Sequence, residues 1–252
     1  MAVAERYMVA DGQIVEWRAM EGLYLYQEIH TLDYRARHLA AHIGVITRRA
    51  EELFGLRPRL SAVRLDEQIE SLLIRSRLSR RVSTRVILKC YASGSYSLEC
   101  DEPSIYSGYA MRSLRPEAIT LPIQLPMADY PTSASIATRQ LADAVARRRG
   151  YHTALLVRGE ELESEPTRPL AIVVGTTVIM AECDSLEANL LERAARKAGL
   201  PVEKRRLRRS DLTSADEVLQ LSWQGITAMA HVDGRAYMAI IGERIAQELE
   251  NI

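Results

Sequence analysis

His30 and Glu28 are the side chains of this sequence best placed, by type and spacing, to move a proton. They lie two apart in residues 23–32, whose alternation reads as a strand with Tyr24, Tyr26, Glu28 and His30 on one side and Leu25, Gln27 and Ile29 on the other. A histidine titrates near neutrality and a carboxylate on the same face can orient it, so the pair suits general acid/base work. The plain alternative is a solvated strand face. Arg85 and Lys89 share one side of a second, β-branched strand at residues 84–92, where two cations suit a carboxylate-bearing ligand. Lysine is scarce. Of the 33 basic residues only Lys89, Lys197 and Lys204 are lysines, so imine chemistry has few amines to choose from. Glu160, Glu161, Glu163 and Glu165 form an acidic run that also reads as a solvated loop. His152 and His231 lack metal-spaced partners, and no metal site is expected.

The elements that must hold these residues follow from local pattern. Asp11-Gly12 between two short alternating runs reads as a hairpin. Residues 35–54 have helical period and stop at Gly55, and a second helix is expected over 66–78. Residues 116–131 contain four prolines, at 116, 122, 126 and 131, and read as irregular or edge-like. A helix over about 135–149 comes next, then strands at 153–157, 171–174 and 177–180. A helix at 185–198 is closed by Gly199 with Pro201 beyond. Strands at 202–207, 217–221 and 226–232, a turn at Asp233-Gly234 and a C-terminal helix complete the chain. Strands and helices mix in both halves, so the expected class is α/β (α+β) with two domains.

The bulk numbers narrow the function classes. With 252 residues, 26% charged and a formal net charge of zero, the chain lacks the basic surface that nucleic acid binding needs. No stretch reaches the roughly 20 apolar residues of a membrane span. Residues 1–10 carry charge early and no apolar core, so a signal peptide is not expected and the cytoplasm is. Cys90, Cys100 and Cys183 have no metal spacing and read as reduced thiols.

Four strings, in order along about residues 7–248, resemble the class IV (fold type IV) aminotransferases, the family of D-amino-acid and branched-chain transaminases. They are Tyr7 to Val15; Leu39 to His42 continuing to residues 49–55; Gly150 to Val157; and Ala198 to Glu203 with Asp211-Leu212, Ser214 to Val218 and Val232 to Arg235. The resemblance implies a smaller N-terminal α/β domain (1–118), a Pro-rich link (119–131) and a larger C-terminal domain (132–252). It also implies a cofactor cleft between the domains, and homodimers. The Schiff-base lysine would fall eighteen residues before Gly150, on Thr132, whose hydroxyl cannot form an imine. The phosphate-binding arginine three residues after His42 would be Val45. The turn that holds phosphate at the later helix would be Ser185-Leu186-Glu187-Ala188, with a carboxylate in place of threonine, and Trp223 would fill the small-residue cup. The glutamate that pairs with the pyridine nitrogen would be Glu165, or Glu163 with a shift of two.

The resemblance thus implies the fold with its pyridoxal phosphate site dismantled and no cofactor. Catalytic candidates are Thr132, Lys89, His30 and Glu28, and substrate-binding candidates are Tyr26, Arg85, Glu165 and Trp223. His42 is expected to pack. The expected function is a cofactor-independent small-molecule enzyme or a ligand-binding pseudoenzyme. The alternatives are a divergent pyridoxal phosphate aminotransferase or aminodeoxychorismate lyase-like enzyme using Lys89, and a non-catalytic subunit that pairs with an active paralogue.

Overall fold

Asp11 and Gly12 both take positive φ, 45° and 93°, as a two-residue hairpin loop requires. They fold β1 (Tyr7–Ala10) back on β2 (Gln13–Glu16) with Ala10 opposite Gln13. The computed structural model describes residues 6–101, 103–109, 111 and 115–252; Glu5, in the charged start of the chain, lies outside them. The chain divides into two units, Met1–Gly108 and Tyr109–Ile252. The division falls ahead of the expected link at 119–131.

The first unit adds β3 (Tyr24–Leu32), β4 (Arg35–Ala36), α1 (Leu39–Phe54), α2 (Ala62–Arg75), β5 (Thr84–Tyr91) and β6 (Tyr96–Cys100). Its sheet runs β2-β1-β6-β5-β3-β4, and every pair is antiparallel. The register places Leu25, Ile29, Val86, Leu88 and Leu98 on one face, all fully buried. Helices cover that face: α1 packs on β3, and α2 on β1, β4 and β6. The buried residues of α2, Leu65, Ile69, Leu72 and Leu73, recur at helical spacing, and each such burial contributes about 1.5–3 kcal/mol. His42 points into this layer, where its Nδ1 lies 2.9 Å from Gln27 Oε1. Burial, with His38 adding, lowers its pKa to about 3, so the ring packs neutral.

The helix expected from residue 35 begins at Leu39. Residues 35 and 36 pair with β3 instead, and His38 at φ 54° turns the chain between them. The strand β6 was hidden from pattern reading because both its sides are buried and polar and apolar residues share them.

The second unit holds β7 (Glu117–Leu121), α3 (Ser133–Arg148), β8 (Thr153–Arg158), β9 (Glu161–Leu162), β10 (Leu170–Val174), β11 (Thr177–Ala181), α4 (Leu186–Lys197) and β12 (Val202–Arg205). A 3-10 turn at Arg209–Thr213 leads to β13 (Glu217–Ser222), β14 (Gly225–Ala228), β15 (His231–Val232), β16 (Arg235–Ala236) and α5 (Ile240–Leu249). Two five-stranded sheets form, β12-β11-β10-β13-β14 and β16-β15-β7-β8-β9. Alternation assigns their faces. Ala154 and Leu156 of β8 meet Ala142 and Ala146 of α3, while Leu155 and Val157 join Ile172 and Val218 between the sheets. Ala171 and Val173 of β10 face Leu191 and Ile245 of α4 and α5. The order is therefore helix, sheet, sheet, helices. The mixed α/β class and the two-part layout agree with the sequence reading. Residues 116–131 are not wholly irregular, because β7 lies among them. Pro116 and Pro122 flank that strand and leave its ladder donors intact, so it pairs in parallel with β8 and β15.

Candidate functional site

In the first unit the face of the sheet opposite the helices carries the expected residues. Tyr26, Glu28 and His30 stand opposite Lys89, Ile87 and Arg85, and Ile87 stands opposite Glu99. This face is not solvated: His30 is 1% exposed and Glu28 7%. Its charges are matched locally. Arg85 donates from Nη1 to Glu28 Oε1 at 2.6 Å and from Nε to Asp101 Oδ2 at 2.5 Å. Lys89 Nζ pairs with Glu99 Oε1 and lies 5.0 Å from the Tyr24 ring centre, while Trp17 Nε1 donates to Glu99 Oε2 at 3.3 Å. Burial raises the Tyr24 phenol above its usual range, with Tyr91 and Glu99 adding, and so keeps it protonated. His30 Nε2 meets Ser83 Oγ at 3.1 Å. Glu28 and His30 thus share a face but bond different neighbours, and Oε2 of Glu28 is buried without a hydrogen-bond partner among the described residues.

In the second unit, Thr132 is the N-cap of α3 and is buried. Its Oγ1 accepts the Ser135 N–H at 3.3 Å, and Ser135 Oγ accepts the Thr132 N–H at 2.8 Å, which closes a reciprocal capping pair. One helical stripe further on, Arg139 reaches Glu165. Its Nε donates to Oε2 at 3.1 Å, its Nη2 pairs with Oε1, and its Nη1 donates to Ala154 O at 2.7 Å. The two side chains are 9% and 8% exposed. Arg139 also lies 3.5 Å from Asp143, one turn along α3. Sequence reasoning placed Glu165 but missed Arg139, since one arginine among so many gave no signal beyond its four-residue spacing from Asp143.

Glu163 is likewise buried rather than solvated. Its Oε2 accepts the Leu125 N–H at 2.9 Å, and burial pushes its carboxyl above the usual range against the pull of that bond and of Arg158. At the start of α4, Ser185 Oγ accepts the Ala188 N–H at 3.0 Å, and Glu187 is buried in the first turn. A protein carboxylate and a hydroxyl therefore sit at this helix N-terminus, where an anion would otherwise be favoured.

Trp223 lies half-buried in the turn between β13 and β14, on the wall of a cavity of about 430 Å³ inside this unit. It lines this space and does not fill it. Arg115, Arg168, Asp143, Gln220 and Met229 share the wall. Arg115 is anchored by its Nη2, which donates to the carbonyls of Met229 (2.8 Å), Tyr237 (2.5 Å) and Met238 (3.0 Å). Among the described residues no group of three or more His, Cys, Asp or Glu could hold a metal ion, and no helix is long and apolar enough to cross a membrane.

This fold, two units with these sheets and helices, is that of the class IV aminotransferases. The branched-chain aminotransferase of Thermoproteus uzoniensis, solved with norvaline, superposes with a TM-score of 0.80 at 15% identity, over 97% of this chain and 93% of that one. An aminotransferase of Brucella abortus bound to pyridoxal phosphate gives 0.79 at 14% identity, over 97% of each chain. A hypothetical aminotransferase of Mycobacterium tuberculosis, in a form with α-ketoglutarate and PMP bound, gives 0.76 at 16%, over 97% and 99%. No family model matches the sequence, and no curated protein does.

Proposed function

We propose that this chain uses the class IV aminotransferase fold without pyridoxal phosphate, to bind or convert a small carboxylate-bearing molecule. The observation that carries this reading is the buried Arg139–Glu165 pair. By the resemblance, Glu165 is the carboxylate that would face a pyridine nitrogen. Here a guanidinium holds both of its oxygens. Separating such a buried pair costs about 3–5 kcal/mol, a penalty that any ring nitrogen would have to meet before binding.

The other anchors agree. Thr132 stands where the lysine would, and its hydroxyl already caps α3. The α4 N-terminus holds Glu187 in place of phosphate, and Trp223 brings an indole to the small-residue cup. These residues do not fit the cofactor. The alternative amine, Lys89, has its ammonium paired with Glu99, whereas imine formation needs a neutral amine. His30 and Glu28 keep a proposed acid/base role, and Tyr26 and Arg85 a proposed binding role, on the buried polar face. We further propose a homodimer working in the cytoplasm.

Equilibrium dialysis against pyridoxal phosphate tests the reading. The expected result is retention well below one equivalent per chain, no more than exposed surface amines give. Retention of one equivalent per chain would overturn it in favour of a divergent cofactor-dependent enzyme.

A further inference from the structure

We propose that the cavity beside the Ser222–Gly225 turn binds a small uncharged polyol, such as a monosaccharide, through the neutral side chains of Gln220, Gln224 and Thr227. The proposal goes beyond the cofactor-free reading above and does not rest on it.

Alternation along two strands frames the site. On β13 the side chains of Leu219 and Leu221 face α4 and α5, and on β14 those of Ile226 and Ala228 do the same. The other side of both strands looks into the space between the two sheets. There Val218 and Met229 are fully buried among apolar neighbours, as strands covered on both faces require. The same side then continues through Gln220, Ser222 and Thr227, polar residues where the pattern calls for apolar ones, and all three line the cavity. Its volume of about 430 Å³ lies in the range that small-molecule pockets occupy.

Hydrogen bonding singles out Thr227. The residue is 7% exposed, and its hydroxyl has no hydrogen-bond partner among the described residues. It is not one of the partnerless polar atoms that are sealed from solvent, so it keeps open surface, and the space it lines is the cavity. Native structures rarely leave a buried hydroxyl unpaired without a reason. Gln220 stands directly opposite Thr227 in the β13–β14 ladder, where Cβ atoms are about 4.5–5.5 Å apart, so one ligand reaches both. The side-chain amides of Gln220 and Gln224 are likewise without partners among the described residues, and likewise not sealed off. The charged side chains on the wall already have partners. Arg115 gives Nη2 to three carbonyls, Asp143 accepts from the Thr153 hydroxyl at 2.9 Å, and Arg168 lies 3.9 Å from Asp143. The groups with hydrogen bonds left to make are therefore one hydroxyl and two primary amides, each able to donate and to accept. A ligand hydroxyl answers both needs at a single oxygen, whereas a carboxylate only accepts.

The probes are glucose, galactose, mannose, ribose and myo-inositol, titrated into the full-length protein and followed by NMR of the side-chain amides of Gln220 and Gln224. At least one should shift both signals saturably, with a Kd of about 1 mM or tighter. Tetrahydropyran, a sugar ring without its hydroxyls, should shift neither, and glucuronate should bind no tighter than the best of the five. Thr227→Val should weaken binding at least tenfold and leave Tm unchanged, because the hydroxyl it removes makes no bond within the fold. Failure of all five probes to saturate, binding of tetrahydropyran, or tighter binding of glucuronate would each overturn the proposal. So would a Thr227→Val protein of unchanged affinity, or one of lowered Tm, which would assign the hydroxyl to the fold. The comparison of probes needs no variant, so misfolding of Thr227→Val leaves the test intact. Binding is read without pyridoxal phosphate, so its failure sinks this proposal and not the earlier reading.

Discussion

Arg139→Met is the perturbation that probes the second unit most sharply. It removes a guanidinium bonded to both oxygens of Glu165 and to Ala154 O, and leaves Glu165 buried without its cation. Because both side chains are more than nine-tenths buried, solvent does little to screen the loss. The cost is that of stranding a buried charge, about 3–5 kcal/mol. For a chain of this size each kcal/mol moves Tm by about 2–4 °C, so a fall of roughly 6–20 °C is expected. The double variant Arg139→Met/Glu165→Met replaces the pair with apolar groups of similar volume and should recover most of the stability. The assay is urea denaturation of wild type, both single variants and the double. A loss below about 1 kcal/mol in Arg139→Met, or a double variant as unstable as the sum of the singles, would refute the claim that Glu165 is committed to Arg139.

Three further outcomes are expected. His42 has a pKa lowered by burial to about 3 from 6.5, so the unfolded state binds the extra proton between those values and stability falls as pH drops through that window. The contribution is about 2 kcal/mol at pH 5, and His42→Gln should flatten a stability–pH curve there; an unchanged slope would contradict the assignment. Glu217, 1% exposed, accepts the N–H groups of Ile241 and Gly242 at 2.7 and 2.8 Å at the start of α5. Glu217→Ala should therefore cost about 2–4 kcal/mol in denaturation, and a loss under about 0.5 kcal/mol would mean that the cap is idle. Thr132→Lys alone should give no transamination in a coupled amino-acid/keto-acid assay, since Glu165, Glu187 and Trp223 remain; measurable turnover would refute the account of those three residues.

Much of the architecture was legible where one local rule dominates. Asp11-Gly12 dictated its hairpin, Ser185 and Gly199 bracketed α4, and the strands of the second unit followed from apolar runs. Reading failed where pairing overrode local preference. Residues 35–36 belong to a helical pattern but complete a sheet edge, and β7 hides between prolines that sit at its ends. The site was legible by type but not by environment. Glu28 and His30 were placed on one strand face, yet nothing in the alternation tells a solvated face from a buried one; that depends on Arg85 of β5 arriving to pair with Glu28 and with Asp101 just past β6, and on Lys89 and Glu99 pairing with each other. Arg139 and Arg115 were invisible because an arginine-rich composition makes every guanidinium look alike until a carboxylate or a set of carbonyls claims it.

Whether the fold holds an imine-forming site is measured directly by borohydride reduction of the full-length protein after incubation with pyridoxal phosphate, followed by peptide mass mapping. With no such site, only scattered, substoichiometric labelling of Lys197, Lys204 and the N-terminus is expected, and no visible-range imine band before reduction. One equivalent of label on Lys89, with a band that reduction bleaches, would show that the site exists.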